Sequence, residues 1–339
     1  MQAAAAKVRM AQQRSRNCVN LDKVPALSTL RGMRLSATLC VLLLSHIALA
    51  DSVKRAENPA ATQEKAAPTR VAGPCAQSPK AMRCIVGGVF LRGSERGPKS
   101  TRPQAEVWLD TFYMDATEVT VEAYDACVTR GACKQARTIY EDYSRPRQPK
   151  VGVSWHHADA FCRANGKHLP TEAEWEKAAR GTDGRLYPWG NEKATCERAV
   201  IKDRRGRSCG VKKTGVSRDT GRTFEVGSRP ANPYGLFDMS GNAWEWVADW
   251  YSSSYARCGD ACAKDNPRGP CDGAATCKGH FDRVVRGGSW YWEGEYATTI
   301  ARRAHAPDNK PYHHYGFRCA ASGAEARQLV RGKAKDQRQ

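Results

Sequence analysis

Between Tyr234 and Tyr251 the chain reads YGLFDMSGNAWEWVADWY, with three tryptophans, three acids and two glycines in 18 residues. The spacing is too irregular for a plain helix or a plain strand. Asp238, Glu245 and Asp249 stand among Phe237, Met239, Trp244, Trp246 and Trp250, while Gly235 and Gly241 permit backbone conformations that a β-carbon forbids. Carboxylates and loop carbonyls held by buried rings suit Ca2+, which takes about six to eight oxygens in flexible geometry. The competing reading is a tryptophan-rich core whose acids face water.

The two ends carry other information. Leu35 to Ala50, LSATLCVLLLSHIALA, is an apolar run of 16 residues behind Arg31 and Arg34 that closes on Ala48-Leu49-Ala50. It predicts a secretory signal peptide of bacterial style, cleaved near Ala50. With Ser45 and His46 inside it, the run is shorter than the ~20 residues of a spanning helix, so no transmembrane anchor is expected. Residues 1–32 read as an upstream extension before an initiating Met33. Residues 51–74 are rich in Ala, Lys, Glu, Pro and Thr and hold almost nothing that could build a core, which predicts a disordered linker. Residues 323–339 are polar and basic and read as a fraying tail.

Cleavage would take seven Lys/Arg and one Asp from totals of 54 and 35, leaving 47 and 34, a formal net charge of +13 against +19 for the whole chain. Such a charge favours an anionic envelope surface, although solubility and ordinary solvated faces are the simpler explanation. The basic residues do not interleave regularly with aromatics, which argues against nucleic acid as a partner.

Cleavage also removes Cys18 and Cys40, leaving 12 cysteines. An even number in an exported chain predicts up to six disulfides. Proximity suggests Cys75 with Cys84, Cys127 with Cys133, and Cys196 with Cys209; Cys258, Cys262, Cys271 and Cys277 pair among themselves in one of three ways that spacing does not choose. Their spacings are wrong for the paired CxxC knuckles of a zinc cluster.

From residue 75 to 322 turn signals recur every few residues, predicting one loop-rich α+β domain. Two helices stand out. One spans about Trp155 to Asn165 with Ser154 as its N-cap. The other opens on the capping box Thr171-Glu172-Ala173-Glu174, buries Trp175, Ala178 and Ala179, and stops at Gly181. Short strands are expected at Glu106 to Leu109 and Val284 to Gly287.

The tryptophan-rich block belongs to a series: WLDTFYMDATEVTVEAYDAC, VGVSWHHADAFCRANGKHLPTEAEWEKAARG, YPWGN, RVVRGGSW and GFRCA. In this order and spacing the chain resembles the formylglycine-generating enzyme family, or sulfatase-modifying factor domain, from about Met82 to Ser322. The resemblance implies that family's variant of the C-type lectin fold, poor in regular structure, and a long-range disulfide between Cys162 and Cys319. It implies one calcium ion on Asp238 and Glu245 by side chain and on Gly241 and Ala243 by carbonyl. A second ion of the family needs an Asn-containing segment after PWGN, where this chain has KATCERAVIKDRRGRSCG. One calcium is expected, not two.

Family enzymes oxidise a substrate cysteine with O2 at Cu(I) held by two thiolates shortly after the GGS motif, a soft donor set suited to cuprous ion. Here Trp292 and Ala297 fall at the two places, and no cysteine lies between Cys277 and Cys319. Copper is therefore not expected. A second branch of the family oxidises through a three-histidine iron site on an added helical domain, whose HxxxHxE motif is missing here; His156, His157, His313 and His314 read as surface or capping residues unless two or three converge in space. Arg302, Arg303 and His305 occupy the region that lines the family's substrate cleft, close in sequence to the aromatic run Trp290, Tyr291 and Trp292. They form either a cleft for a protein, peptide or glycan ligand, or a packed wall in which Arg302 or Arg303 pairs with Glu245 or Asp249. The expectation is an exported binding or accessory module. The alternative is an oxidoreductase of the same family, formylglycine-generating or otherwise metal-dependent, acting on a peptide or small molecule.

Overall fold

The structure is a computed structural model that describes residues 70–136, 142–211, 221–308 and 312–336. The expected signal peptide, and the linker up to residue 69, lie outside the described residues. In chain order the elements are β1 (Met82–Ile85), β2 (Gly88–Arg92), β3 (Ala105–Leu109), β4 (Phe112–Asp115), α1 (Val121–Thr129), α2 (Trp155–Ala164) and α3 (Glu172–Arg180). There follow β5 (Trp244–Trp250), two single-turn helices α4 (Tyr255–Cys258) and α5 (Asp260–Ala263), β6 (Arg283–Arg286), β7 (Arg302–His305), β8 (Tyr315–Gly316), β9 (Ala320–Ser322) and α6 (Gly323–Asp336). The result is a loop-rich α+β domain with three small sheets. Among the described residues β4 lies between β1 and β9, β2 pairs with β3, and the third sheet runs β7-β6-β5-β8 with β5 and β8 parallel.

β5 explains the peculiarity of the tryptophan-rich block. It is flanked by β6 and β8 and buried on both faces, so the strand shows no polar alternation. Trp244 and Trp246 point into one core with Trp155, Phe161, Tyr315 and Phe317, whereas Val247 enters a second core with Trp175, Leu236, Met239 and Val284. The period of two that separates these side chains makes the strand a wall between the cores. Trp246 Nε1 donates to the Val153 carbonyl at 3.0 Å and Trp155 Nε1 to the Val247 carbonyl at 2.8 Å, which satisfies two large amphipathic rings at depth.

The capping signals at α2 and α3 act as their chemistry requires. Ser154 Oγ accepts from the His157 amide while the His157 ring turns back to the Ser154 amide, and Thr171 and Glu174 make the same reciprocal pair. Gly181 ends α3 with φ +71°, a conformation that favours glycine. The buried stripe of Trp175, Ala178 and Ala179 is present, but α3 also buries Glu172, Glu176, Lys177 and Arg180. Three of those charges are matched: Glu176 accepts from Arg180 at 2.9 Å and Arg286 at 2.8 Å, and Glu172 takes Arg302 in a two-pronged contact at 2.6 and 2.7 Å, while Lys177 Nζ donates to the Gly88 carbonyl at 2.8 Å.

Six disulfides join the described cysteines: Cys75–Cys84, Cys127–Cys133, Cys162–Cys319, Cys196–Cys209, Cys258–Cys262 and Cys271–Cys277. The ambiguous four pair with their nearest neighbours because Cys258 and Cys262 lie on adjacent turns of α4 and α5, while Cys271 and Cys277 close their own loop. Among the described residues no helix is long and apolar enough to cross a membrane.

The tail departs from expectation. Residues 323–336 form α6 instead of fraying. Ser322 and Glu325 supply a capping box, the Ser322 amide donating to Glu325 Oε2 at 2.6 Å and the Glu325 amide to Ser322 Oγ at 3.3 Å. Ala326 enters a small core with Met82, Tyr113 and Ala321. His168 then latches the helix, its Nδ1 2.8 Å from Glu325 and its Nε2 3.3 Å from Glu174. Burial alone would lower the His168 pKa, but Glu174 and Glu325 outweigh it and raise it to about 10. Burial likewise raises Glu325, and the His168 contact and Ser322 overcome it, leaving it at about 2. A raised histidine contributes stability that is fully present below its unfolded value near 6.5 and lost as pH climbs through about 10. A depressed glutamate contributes above about 4.5 and loses it as pH falls through about 2. Amide exchange across residues 323–336 should therefore be slowest between about pH 4.5 and 6.5 after correction for intrinsic rates. The same exchange in His168→Ala should be faster between about pH 4.5 and 6.5 and should lose the further acceleration that the wild type shows between about pH 6.5 and 10; an unchanged profile in that variant would show that the latch does not hold α6.

Candidate functional site

The loop between residues 235 and 243 and the strand after it bring three carboxyls, of Asp238, Glu245 and Asp249, into the interior. Glu245, expected to reach a calcium ion, is fully buried and held by Arg318 through both oxygens at 2.7 Å, with Trp175 Nε1 donating at 2.8 Å. Its charge is balanced inside the protein by Arg318, which engages both of its oxygens. Asp249 is buried as well, with its Oδ2 accepting from the Glu172 amide at the start of α3 at 2.7 Å. Burial, and then the charge of Glu172, push Asp249 up to about 7.

The residue that joins Asp238 is Glu118, at the entry to α1. Asn242 Nδ2 donates to Glu118 Oε1 at 3.0 Å, and the Gly227 amide donates to Asp238 Oδ2 at 2.6 Å. No N–H or O–H of the described residues reaches Glu118 Oε2, although Glu118 is only 1% exposed. Burial, then the negative charges of Asp238 and Glu245, raise the Glu118 pKa well above the carboxylic range, and burial raises Asp238 too. Asp238 and Asn242 both sit in the left-handed region, at φ +56° and +58°, a conformation that Asp and Asn tolerate better than other residues with a β-carbon. Two buried acids with an undonated oxygen suit a hard cation or a shared proton. Gly241 and Ala243, on the same loop, have carbonyls that could complete an oxygen shell around such a cation. Among the described residues no three His, Cys, Asp or Glu side chains converge as a group that could hold a metal ion, so a cation here would rest on two carboxyls and backbone carbonyls.

The six residues expected to line a cleft divide into two groups. Trp290 is fully buried in a core with Tyr143, Val151, Val200 and Ala243, and so is packing. Arg302 pairs with neither Glu245 nor Asp249: its side chain is 1% exposed, locked on Glu172, and it donates to the Ser100 and Ser252 carbonyls at 2.6 and 3.1 Å. The reason is strand alternation, which turns Arg302 toward α3 and sends its neighbour Arg303 to the opposite face of β7. Tyr291, Trp292, Arg303 and His305 remain part-buried. Arg303 stands 5.1 Å over the Trp292 ring, Arg207 stands 3.6 Å over Tyr291, and Tyr291 and Trp292 are in ring contact at 5.2 Å.

A second segment completes this face. The run YHHY, Tyr312 to Tyr315, brings His314 to 5.5 Å from Tyr291 and Tyr315 to 4.2 Å from His305, with Tyr312 at 5.6 Å from His305. His313 stacks between Trp290 and Tyr143, at 5.3 Å from each. Burial first, then the positive neighbours His313, Arg303, His305 and Arg207, lower His314 to about 3, so its ring is neutral near pH 7. The signal for this part of the face was the aromatic-histidine run itself, adjacent to GFRCA. His156 faces Asp308 at 3.3 Å and His157 serves as a helix cap, so neither takes part.

At the two positions where the resemblance implied copper thiolates, Trp292 lies on this face and Ala297 is buried, its carbonyl accepting from Ser240 Oγ at 2.6 Å. Every cysteine among the described residues is in a disulfide.

Three comparisons bear on this architecture. The family described as a sulfatase-modifying factor enzyme 1-like domain matches residues 68–322. A formylglycine-generating enzyme of Thermomonospora curvata is 40% identical over 187 residues, which cover 52% of this chain and 56% of that enzyme. The formylglycine-generating enzyme of Bos taurus is 31% identical over 312 residues, covering 77% of this chain and 79% of the other. Among solved structures, PvdO from Pseudomonas aeruginosa has a TM-score of 0.56 at 24% identity, over 71% of this chain and 94% of that one, which shows a shared fold. The chain spans about half the length of the Thermomonospora relative.

Proposed function

The chain belongs to the formylglycine-generating enzyme family, marked by its sulfatase-modifying factor domain, and from that membership we propose that it is an exported binding or accessory module that does not generate formylglycine. The observation that carries this reading is the donor chemistry after the GGS motif. Cuprous ion takes soft thiolates, and an indole at Trp292 and a methyl at Ala297 supply none. The six disulfides leave no thiol among the described residues to stand in, and they support export, because such bonds persist in oxidising compartments. The face of Tyr291, Trp292, Arg303, His305 and His314 is the binding surface, with rings to stack and a guanidinium to anchor a protein, peptide or glycan.

Calcium is the proposed ion, held by Glu118 and Asp238 through their carboxyls and by Gly241 and Ala243 through their carbonyls, where it would neutralise two buried acids and rigidify the loop before β5. Ion binding to the native state adds RT ln(1 + [L]/Kd) to stability. The melting temperature should therefore rise with Ca2+ in the wild type and not in Glu118→Gln or Asp238→Asn. Glu245→Gln should lower it equally in calcium and in chelator, because the partner lost is Arg318. Identical wild-type melting curves in calcium and in chelator would remove calcium from the proposal.

A second reading, metal-dependent oxidation, is favoured by the likeness to formylglycine-generating enzymes and by the neighbouring rings of His305 and His314. Elemental analysis of protein purified without chelator, combined with oxygen uptake, separates the two. Calcium without copper or iron is the expected result, and stoichiometric redox metal with oxygen consumption would overturn the binding-module reading.

A further inference from the structure

Three nitrogen atoms in the aromatic face have no hydrogen-bond partner among the described residues while being shielded from solvent: Trp292 Nε1, Arg303 Nε and His314 Nδ1. They come from three segments, the loop after β6, strand β7 and the approach to β8. Contacts chain them together: Arg303 lies over Trp292, Trp292 touches Tyr291, and Tyr291 touches His314. The indole and guanidinium nitrogens are obligatory donors, and a neutral imidazole can present N–H at either nitrogen. Shielded donors of this kind lack free energy that an acceptor would restore. Arg303 and Arg207 add two fixed positive charges. At the rim, Tyr296 and Tyr312 are 46% and 44% exposed, each in ring contact with this face through Trp292 and His305.

We infer that this face, the binding surface proposed above, is a receptor for a tetrahedral oxyanion, a phosphate or sulfate group, with Trp292, Arg303 and His314 as donors and Tyr296 and Tyr312 flanking whatever carries it. Three donors carried by three segments of one face suit an acceptor that offers several oxygens in different directions, whereas a carboxylate accepts close to one plane. Guanidinium and indole together also suit an anion whose carrier has a flat face, such as a sugar ring.

The test follows the indole N–H resonances in 15N-labelled protein at pH 6.5, with Trp292 assigned by its loss in Trp292→Phe. Sodium phosphate should shift the Trp292 indole saturably, sodium sulfate should do the same, and sodium chloride at matched ionic strength should not. Arg303→Gln should weaken the response by at least about tenfold, while Arg303→Lys, which keeps the charge and loses the fork, should weaken it less. Glucose 6-phosphate binding more tightly than inorganic phosphate would show that the carrier is read as well; equal affinity would show that the anion alone is recognised. No phosphate shift beyond the chloride control, or an undiminished shift in Arg303→Gln, overturns the inference. In that event a protein free of copper and iron still supports the binding-module reading, which fails only on the metal and oxygen measurement.

Discussion

Arg318→Met should lower the unfolding free energy by about 3–5 kcal/mol, among the largest effects of any single side chain in this protein. Arg318 is fully buried and reaches Glu245 through two nitrogens at 2.7 Å, and it also donates to the Phe237 and Asp115 carbonyls at 2.7 and 3.1 Å. Removing it strands the Glu245 carboxylate in the interior beside Glu118 and Asp238, with Trp175 the one side-chain donor left to it among the described residues. Breaking a buried pair costs far more than replacing it by apolar groups of similar volume. The double variant Glu245→Met with Arg318→Met should accordingly recover much of the loss in a urea titration. If the double variant were as unstable as the single one, the carbonyl contacts of Arg318, and not the ion pair, would be its main contribution.

The second large effect is the Cys162–Cys319 bridge, which closes a span of 157 residues and joins α2 to the segment before β9. In the chain-entropy account a loop of that length contributes about 4–5 kcal/mol, whereas the spans of 4 to 13 residues closed by Cys258–Cys262 and Cys196–Cys209 contribute about 2–3. Replacing both Cys162 and Cys319 by alanine should depress the melting temperature more than replacing any other pair. Thiol titration of the denatured, unreduced protein should find close to zero free groups from residue 75 onward. Two reactive thiols in that assay that also bind Cu(I) would reopen the copper reading of the chain.

Much of the scaffold was legible because its signals are local. Ser154, Thr171 with Glu174, and Gly181 bracket helices α2 and α3 by hydrogen bonds within four residues, and short-range cysteine pairs follow from chain proximity. Ser322 and Glu325 carried the same kind of signal for α6, hidden by the basic composition around them. The charged network was not legible. Arg302 meets Glu172, and Arg318 meets Glu245, across separations of 130 and 73 residues, and charge alone names no partner at that range.

What the sequence by itself determined is the family, the loop-rich α+β domain, the oxidised cysteines and the loss of soft ligands after the GGS motif, since each depends on residue type and spacing. The tertiary structure decided which acids remain unmatched. Glu245 and Glu118 are equally acidic on the page, yet one is neutralised by Arg318 and the other has an undonated oxygen beside Asp238. It likewise decided that Trp290 and Arg302 are core while Trp292 and Arg303 lie part-buried on the aromatic face with His314. Strand alternation separates neighbours in sequence onto opposite faces, and only the pairing of β6 with β7 and of β5 with β8 fixes which face meets the interior.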